Sequence, residues 1–246
     1  MESRADHAGM TLTRLLYMDN IEGNYIKRFR AKVLEQTDDG DVILDQTAFY
    51  PEGGGQPSDK GLLYFDTLSV PVSRVHMDGE VVHELEGWLP DNVVTVKATL
   101  DWERRYAHMR MHTAQHILSG VAFDRLGAGT EGLQIQGDRS SVDLSVGPEK
   151  VDLEDLQRGA NEVVSRALPI GLTSEDPGEL RERIEGGRVD FARLPKVKRL
   201  RVVSIQGFDE IPCAGTHVRN TQEVGSISLV GKEGHGDGTR ILFELD

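Results

Sequence analysis

"DWERRYAHMRMHTAQHILSGVAFDRLG", residues 101–127, is where the chain changes texture. Apolar residues at 102, 106, 109, 117, 118, 121 and 126 recur near the helical period, with Asp101 as a start signal and Gly127 as a stop. One long helix is expected here. Upstream, "NYIKRFRAKVLEQ", "DVILDQTAFY", "GLLYF", "VVHEL" and "VVTVKATL" are short β-rich runs separated by "DDGD", "PEGGGQPSDKG", "MDGE" and "LPDN". That spacing predicts a small, mostly antiparallel barrel over residues 11–98, after a polar tail at 1–10. Downstream come a strand ("SSVDLSV"), a helix ("LEDLQRGANEVVSRAL"), a short helix ("PGELRERIE") and strands "RLRVVSI", "GSISLVG" and "TRILFEL". The expected fold is therefore α+β, a β-barrel followed by an α/β domain over residues 99–246.

A hydrophobic share of 38% and a charged share of 28% place the chain among ordinary globular proteins. No apolar run approaches the roughly 18–20 residues that a membrane helix needs, and "MESRADHAGM" lacks an apolar export core. Cys213 is the single cysteine, which excludes an internal disulfide framework and makes a cytoplasmic location the expectation. The net charge of −13 argues against indiscriminate nucleic-acid coating, because the overall field repels phosphate. Local cations remain. Arg193, Lys196, Lys198, Arg199 and Arg201 fall within "RLPKVKRLR", and Arg104, Arg105 and Arg110 lie on the long helix. Taken alone, both groups read as solvated faces.

Within the helix, "HTAQH" sets His112 and His116 four residues apart, on one face, so that both imidazoles can converge on one ion. Thr113 stands where a zinc peptidase carries its general-base glutamate. Downstream, "PCAGTH" sets Cys213 and His217 four apart in a turn. Three imidazoles and a thiolate suit tetrahedral Zn2+. His108, one turn before His112, reads as helix surface, and His7, His76, His83 and His235 have no ligand-spaced neighbour. Without the glutamate, amide hydrolysis is disfavoured, whereas an activated ester is an easier target. Four protein ligands close a tetrahedral site, so the sequence leaves open whether zinc acts on water, on a substrate amine or on structure alone.

"DQTAFYPEGGGQPSDKG", residues 45–61, is a second unusual stretch. Gly53, Gly54 and Gly55 let the backbone turn tightly and approach a ligand, while Thr47 and Gln56 offer a hydroxyl and an amide. A phosphate loop is excluded, since no Gly-Lys-Ser/Thr ending follows. In isolation the stretch reads as a hairpin loop.

Together, "FYPEGGGQPSDKG", "HTAQH" and "CAGTHVRNT" resemble the free-standing alanyl-tRNA editing proteins called AlaX and the editing domain of alanyl-tRNA synthetase. The likeness covers residues 12–246. The threonyl-tRNA synthetase editing domain is similar in the two metal motifs but lacks the glycine-rich segment. With 246 residues there is no room for an aminoacylation domain, and the medium, free-standing form is expected. The resemblance implies a translation-factor-like barrel joined to the editing domain, and ATP-independent hydrolysis of seryl, and secondarily glycyl, esters of mischarged alanine tRNA. It places zinc on His112, His116, Cys213 and His217, and the glycine motif on Gly53, Gly54, Gly55 and Gln56, with Thr47 in the matching upstream stretch. Ala214 replaces the family's commoner glycine there. Thr47 and Gln56 are taken as the catalytic and specificity groups, and Arg193, Lys196, Lys198 and Arg199 as tRNA contacts. The competing reading is a non-catalytic RNA-binding module with a structural zinc. No membrane partner is expected, and the sequence does not separate a monomer from a homodimer.

Overall fold

The computed structural model describes residues 13–184, 186 and 188–246; the polar tail at 1–10 and the first residues of the expected barrel lie outside them. The chain divides into two compact units. The first runs up to Leu16 and continues through Ile26–Glu52 and Ser58–Asp101, and the second combines Tyr17–Tyr25, Gly53–Pro57 and Trp102–Asp246. Two short segments from the strand-rich half thus cluster with the helical half.

In the first unit the strands are β1 (Arg14–Leu15), β2 (Arg28–Gln36), β3 (Val42–Leu44), β4 (Gln46–Thr47), β5 (Gly61–Phe65), β6 (Leu68–Asp78), β7 (Glu80–Leu85) and β8 (Thr95–Leu100). Six of them close a barrel in the order β2-β3-β7-β6-β5-β8, every pair antiparallel. Its core contains Ala31, Leu63, Val70, Val72, Val96 and Ala98, the inward members of a period-two alternation. β6 is absent from the sequence reading because Pro71 interrupts its pattern. Here Pro71 pairs opposite Leu62, and its carbonyl accepts the N–H of Glu86 (2.9 Å). "DVILDQTAFY" is two short strands rather than one. At the break, Asp45 turns its carboxylate to the backbone N–H of Lys32 (2.7 Å).

In the second unit, α1 (Trp102–Leu126) is the expected long helix. It ends at Gly127, whose positive φ of 63° and N–H bond to the Phe123 carbonyl (2.8 Å) form a left-handed cap. The other elements are β9 (Thr130–Gln134), β10 (Arg139–Leu144), α2 (Leu153–Ser165), β11 (Ile170–Glu175), α3 (Pro177–Arg183), β12 (Leu200–Ile205), β13 (Asp209–Pro212), β14 (Ile227–His235) and β15 (Gly238–Leu245). They form a four-stranded sheet, β14-β15-β10-β9, and a three-stranded sheet, β11-β12-β13. β9, β11 and β13 are short strands that the sequence reading leaves as loop. From His108 to Ala122 all of α1 but Arg110 is buried, so it is a central helix over that span. His108, expected at the surface, is therefore buried, with 1% exposure. Among the described residues no helix is long and apolar enough to cross a membrane.

Candidate metal centre

α1 carries His112 and His116 one turn apart, and the turn after β13 carries Cys213 and His217. One ligand atom from each of the four lies within 4.8 Å of all the others. The His112 ring centroid is 4.5 Å from that of His217 and 5.2 Å from that of His116, and His116 and His217 are again 4.5 Å apart. Cys213 Sγ is 3.5 Å from His112 Nε2 and 3.3 Å from His217 Nε2. No carboxylate belongs to this group.

The surrounding residues fix the rings. Gln56 Oε1 lies 2.8 Å from His112 Nδ1 and also accepts the Thr216 N–H (3.1 Å), while Gln56 Nε2 donates to Thr216 Oγ1 (2.9 Å). A carbonyl oxygen only accepts, so His112 Nδ1 carries its hydrogen and Nε2 presents a lone pair toward Cys213. Thr113, in the place of the missing glutamate, has its hydroxyl 3.2 Å from His217 Nδ1 and accepts the Val218 N–H (3.3 Å). Asn24 Oδ1 accepts the His217 N–H (2.7 Å), and Arg105 donates to the Asn24 carbonyl (2.9 Å). Arg105 is therefore a fully buried brace and not a solvated cation. Asn24, Arg105 and the bracing role of Thr113 escape the sequence reading. Asn24 sits in a strand-like run with no motif around it, and Thr113 stands out there only as a departure from a peptidase motif.

Two glycines are required by contact. A Cβ on Gly215 would come 2.0 Å from His112 Cε1 and 2.3 Å from its Nδ1, so the backbone of "CAGTH" lies flat against the imidazole. At the glycine loop, Gly53 and Gln56 exchange backbone hydrogen bonds (3.1 and 3.0 Å), with φ of 55° at Gly54 and 79° at Gly55. Two positive φ values in succession make a type I′ hairpin turn. A Cβ on Gly55 would meet the Leu133 carbonyl oxygen at 2.5 Å.

Burial holds the cluster's histidines neutral. His112 is pushed down to about 3, first by burial and then by the charges of Arg201 and His108. His116 and His217 fall well below the ordinary histidine value, again chiefly through burial. Burial pushes the Cys213 thiol up, against the nearby Arg201 charge and the Gly215 N–H. Arg201 donates to the Cys213 carbonyl at 2.5 Å. His116 Nδ1 is buried without a hydrogen-bond partner. Neutral imidazoles with convergent lone pairs, an orphaned ring nitrogen and a thiol that is costly to ionise unaided form a donor set that fits a metal cation. The group can hold a metal ion.

Thr47 belongs to the barrel unit and is fully buried. His83 Nδ1 faces the Val42 carbonyl (3.1 Å), which leaves its Nε2 as an acceptor 2.9 Å from Thr47 Oγ1. Thr47 donates its hydroxyl hydrogen there and accepts the Phe49 N–H (3.1 Å). Burial lowers His83 to about 4. Of the basic segment, Arg193 pairs with Asp190 (3.1 Å) and donates to the Glu131 carbonyl (3.2 Å), and Arg199 donates to Ser174 Oγ (3.0 Å). Lys196 and Lys198 are exposed and form no ion pair with described residues.

A helix and a turn that together present three histidines and a cysteine, in a chain that also forms a small barrel, fall where two models of tRNA synthetase domains match the chain. Residues 10–104 match the family tRNA synthetases class II (A), and residues 200–241 match the threonyl and alanyl tRNA synthetase second additional domain. The chain is 33% identical to alanyl-tRNA editing protein AlaX-M of Methanosarcina barkeri, over 89% of this chain and 94% of that protein. It is 34% identical to AlaX-L of Pyrococcus horikoshii over 84% of this chain and 52% of that longer protein. Its identity to the alanine–tRNA ligase of Thermococcus kodakarensis is 37%, over 94% of this chain and 25% of the ligase. The chain belongs to the alanyl-tRNA editing protein family.

Proposed function

We propose that this protein is an ATP-independent aminoacyl-tRNA deacylase that hydrolyses the ester of a wrong amino acid, serine and secondarily glycine, on alanine tRNA. Family membership supports the reaction class, and the cluster's composition carries the choice of an ester. The position of a peptidase's general base holds Thr113, whose hydroxyl is engaged with His217 and Val218, and no carboxylate stands among the donor atoms. A site so built lacks the proton acceptor that amide hydrolysis requires, whereas an ester with a ribose leaving group needs less help.

We assign zinc to His112, His116, Cys213 and His217, a mixed nitrogen and sulfur set that matches its preferences. When bound, zinc would supply positive charge at the reacting end of the substrate. The chain's own residues supply orientation. Gln56 holds the tautomer of His112, Thr113 holds His217, and the hairpin turn of Gly53, Gly54 and Gly55 sets Gln56 in place. Thr47 is proposed to read the serine hydroxyl, as an acceptor, because its own hydrogen is committed to His83. The two functional parts are taken as a translation-factor-like barrel over residues 11–98 and an editing domain over 99–246, the latter completed by Tyr17–Tyr25 and Gly53–Pro57. A cytoplasmic location, with a single thiol kept reduced, belongs to the same proposal, and a monomer and a homodimer are equally compatible with it.

A second reading has one observation in its favour. Four protein donors fill a tetrahedral coordination sphere, as in structural zinc sites, so the chain could bind RNA without turning it over. One experiment separates the two. Purified protein is incubated with seryl-, glycyl- and alanyl-esters of alanine tRNA, and ester loss is followed against uncatalysed decay. Rapid loss of the seryl ester with the alanyl ester spared is expected. Tight tRNA binding with decay at the uncatalysed rate would establish the RNA-binding module instead.

A further inference from the structure

The outer face of the barrel carries a row of cations that no motif marks. Ala31 on β2, Val96 and Ala98 on β8 and Leu63 on β5 point into the barrel core, so their sequence neighbours point outward. The register sets Arg28 opposite Thr99, Arg30 opposite Lys97 and Lys32 opposite Thr95, while Tyr64 on β5 pairs with Lys97 from the other side. Arg28, Arg30, Lys32 and Lys97 are all exposed. Residues of one strand that share a face stand about 7 Å apart, and neighbouring strands about 5 Å. The four cations therefore form one patch.

Two features separate this patch from an ordinary solvated face. The chain holds 41 acidic against 28 basic residues, yet no acidic side chain lies on this face of the three strands over these registers. At its edge, Asp45 directs its carboxylate to the backbone N–H of Lys32. None of the four cations forms an ion pair with a described residue, unlike Arg193, which is paired with Asp190. A cavity of about 490 Å³ opens on Arg28, Arg30, Tyr64, Lys97 and Thr99. Hydroxyls beside unpaired guanidinium and ammonium groups are the contacts that phosphate and ribose take.

We infer that this barrel face binds the sugar–phosphate backbone of tRNA, an assignment that rests on the reading of the chain as a tRNA editor. Recognition here is by charge and shape, and it carries no sequence preference. Patch and partner are complementary in charge, in a molecule whose net charge repels RNA. A lipid surface is the weaker match, because the cations alternate mainly with Thr95, Thr99 and Tyr64, and the exposed Leu34 and Val94 stand only at the Lys32–Thr95 end of the patch.

The test measures binding of unacylated tRNA across a salt series for wild type and for the double variants Arg30→Gln/Lys97→Gln and Lys196→Gln/Lys198→Gln. The substituted side chains are exposed, so folding is retained, and a melting curve checks it. For Arg30→Gln/Lys97→Gln, affinity near 0.1 M salt should fall about tenfold or more. The slope of log K against log salt should become shallower by roughly 0.7–0.9 for each phosphate that the variant no longer neutralises. An unchanged slope in that variant overturns the assignment. So does binding to vesicles containing phosphatidylserine that depends on Arg30 and Lys97 while tRNA binding does not. A wild type that binds tRNA but hydrolyses no ester would overturn the deacylase reading, and the shallower slope would still uphold the face.

Discussion

His83 in the barrel unit and the three histidines of the metal cluster are all buried, and burial lowers the basicity of each, yet their ring nitrogens are accounted for in different ways. His83 has one nitrogen on the Val42 carbonyl and the other on the Thr47 hydroxyl, so the protein satisfies both. In the cluster only the outer nitrogens of His112 and His217 are held, by Gln56 and Thr113, and the inner ones face the Cys213 sulfur and one another. His116 Nδ1 has no partner. A buried imidazole with a donor and an acceptor in place is a finished structural element. Converging lone pairs with a single thiol hydrogen between them call for a cation. The difference separates a histidine that serves the fold from histidines that serve a ligand.

If that distinction is sound, the cluster should depend on metal and the barrel pair should not. Metal analysis of purified protein should give close to one equivalent of zinc. Cys213→Ala should remove most of the bound metal and nearly all deacylation, by about a hundredfold or more. Substitution of the residues that hold the rings should cost less: Gln56→Leu or Thr113→Val should weaken metal affinity by about 10–100-fold, since the ring is left free to turn. A Cys213→Ala protein with full zinc and full activity would dissolve the distinction. His83→Gln, by contrast, should leave zinc content unchanged.

The two kinds of histidine also mark how far the sequence could be read. The long helix was legible because apolar residues recur near the helical period on both sides of "HTAQH", between Trp102 and Leu126, and Gly127 supplies the stop. The four cluster residues were legible because both pairs keep a spacing of four around the only cysteine. Asn24 was not, because its hydrogen bond to His217 joins residues 193 positions apart and no local pattern records such a contact. His83 carries no local signal for the same reason, since its partners Val42 and Thr47 come from a distant strand pair. β6 was hidden by Pro71, which a strand tolerates only where the ladder does not need its N–H. Membership of Gly53–Pro57 in the second unit is likewise a tertiary fact: Ile135 donates its N–H to the Gly55 carbonyl (2.8 Å).

Acid provides a finer probe of the barrel pair. His83 is pushed down to about 4 by burial, against roughly 6.5 in an unfolded chain. Between those values the unfolded chain binds a proton that the folded chain refuses, so stability falls as pH drops from about 6.5 to 4 and the loss levels off below. At about 1.4 kcal/mol per pH unit, the cost accumulates to the order of 3 kcal/mol. His83→Gln keeps an acceptor for Thr47 and cannot titrate. Its stability difference from wild type, measured by denaturant melts with zinc held constant, should therefore shift in its favour by about that amount over the window. Parallel pH curves for the two proteins would mean that His83 is protonated in the native state.

The smallest expected effect concerns what the barrel pair is for. An editor that acts on alanine tRNA must destroy seryl esters and spare alanyl ones, which differ by a single hydroxyl. Size cannot exclude alanine, the smaller side chain, so discrimination has to come from a hydrogen bond made only with serine. A site built around such a hydroxyl can reject the analogue that lacks it by about 10⁴–10⁵, because its own polar groups are then left unpaired. Thr47 donates to His83 and accepts from the Phe49 N–H, and the function proposed above gives its second lone pair to a serine hydroxyl. Thr47→Val keeps the shape and removes that lone pair. The ratio of seryl to alanyl hydrolysis should narrow by about tenfold, one hydrogen bond of roughly 1–1.5 kcal/mol, and mainly through a slower seryl reaction. Folding stability should also fall by about 1–3 kcal/mol, because the buried Nε2 of His83 loses its donor. Both rates are measured on the same tRNA, and the stability by melting. If stability falls while the ratio stands, Thr47 belongs with His83 to the fold alone, and the serine hydroxyl is read by another residue.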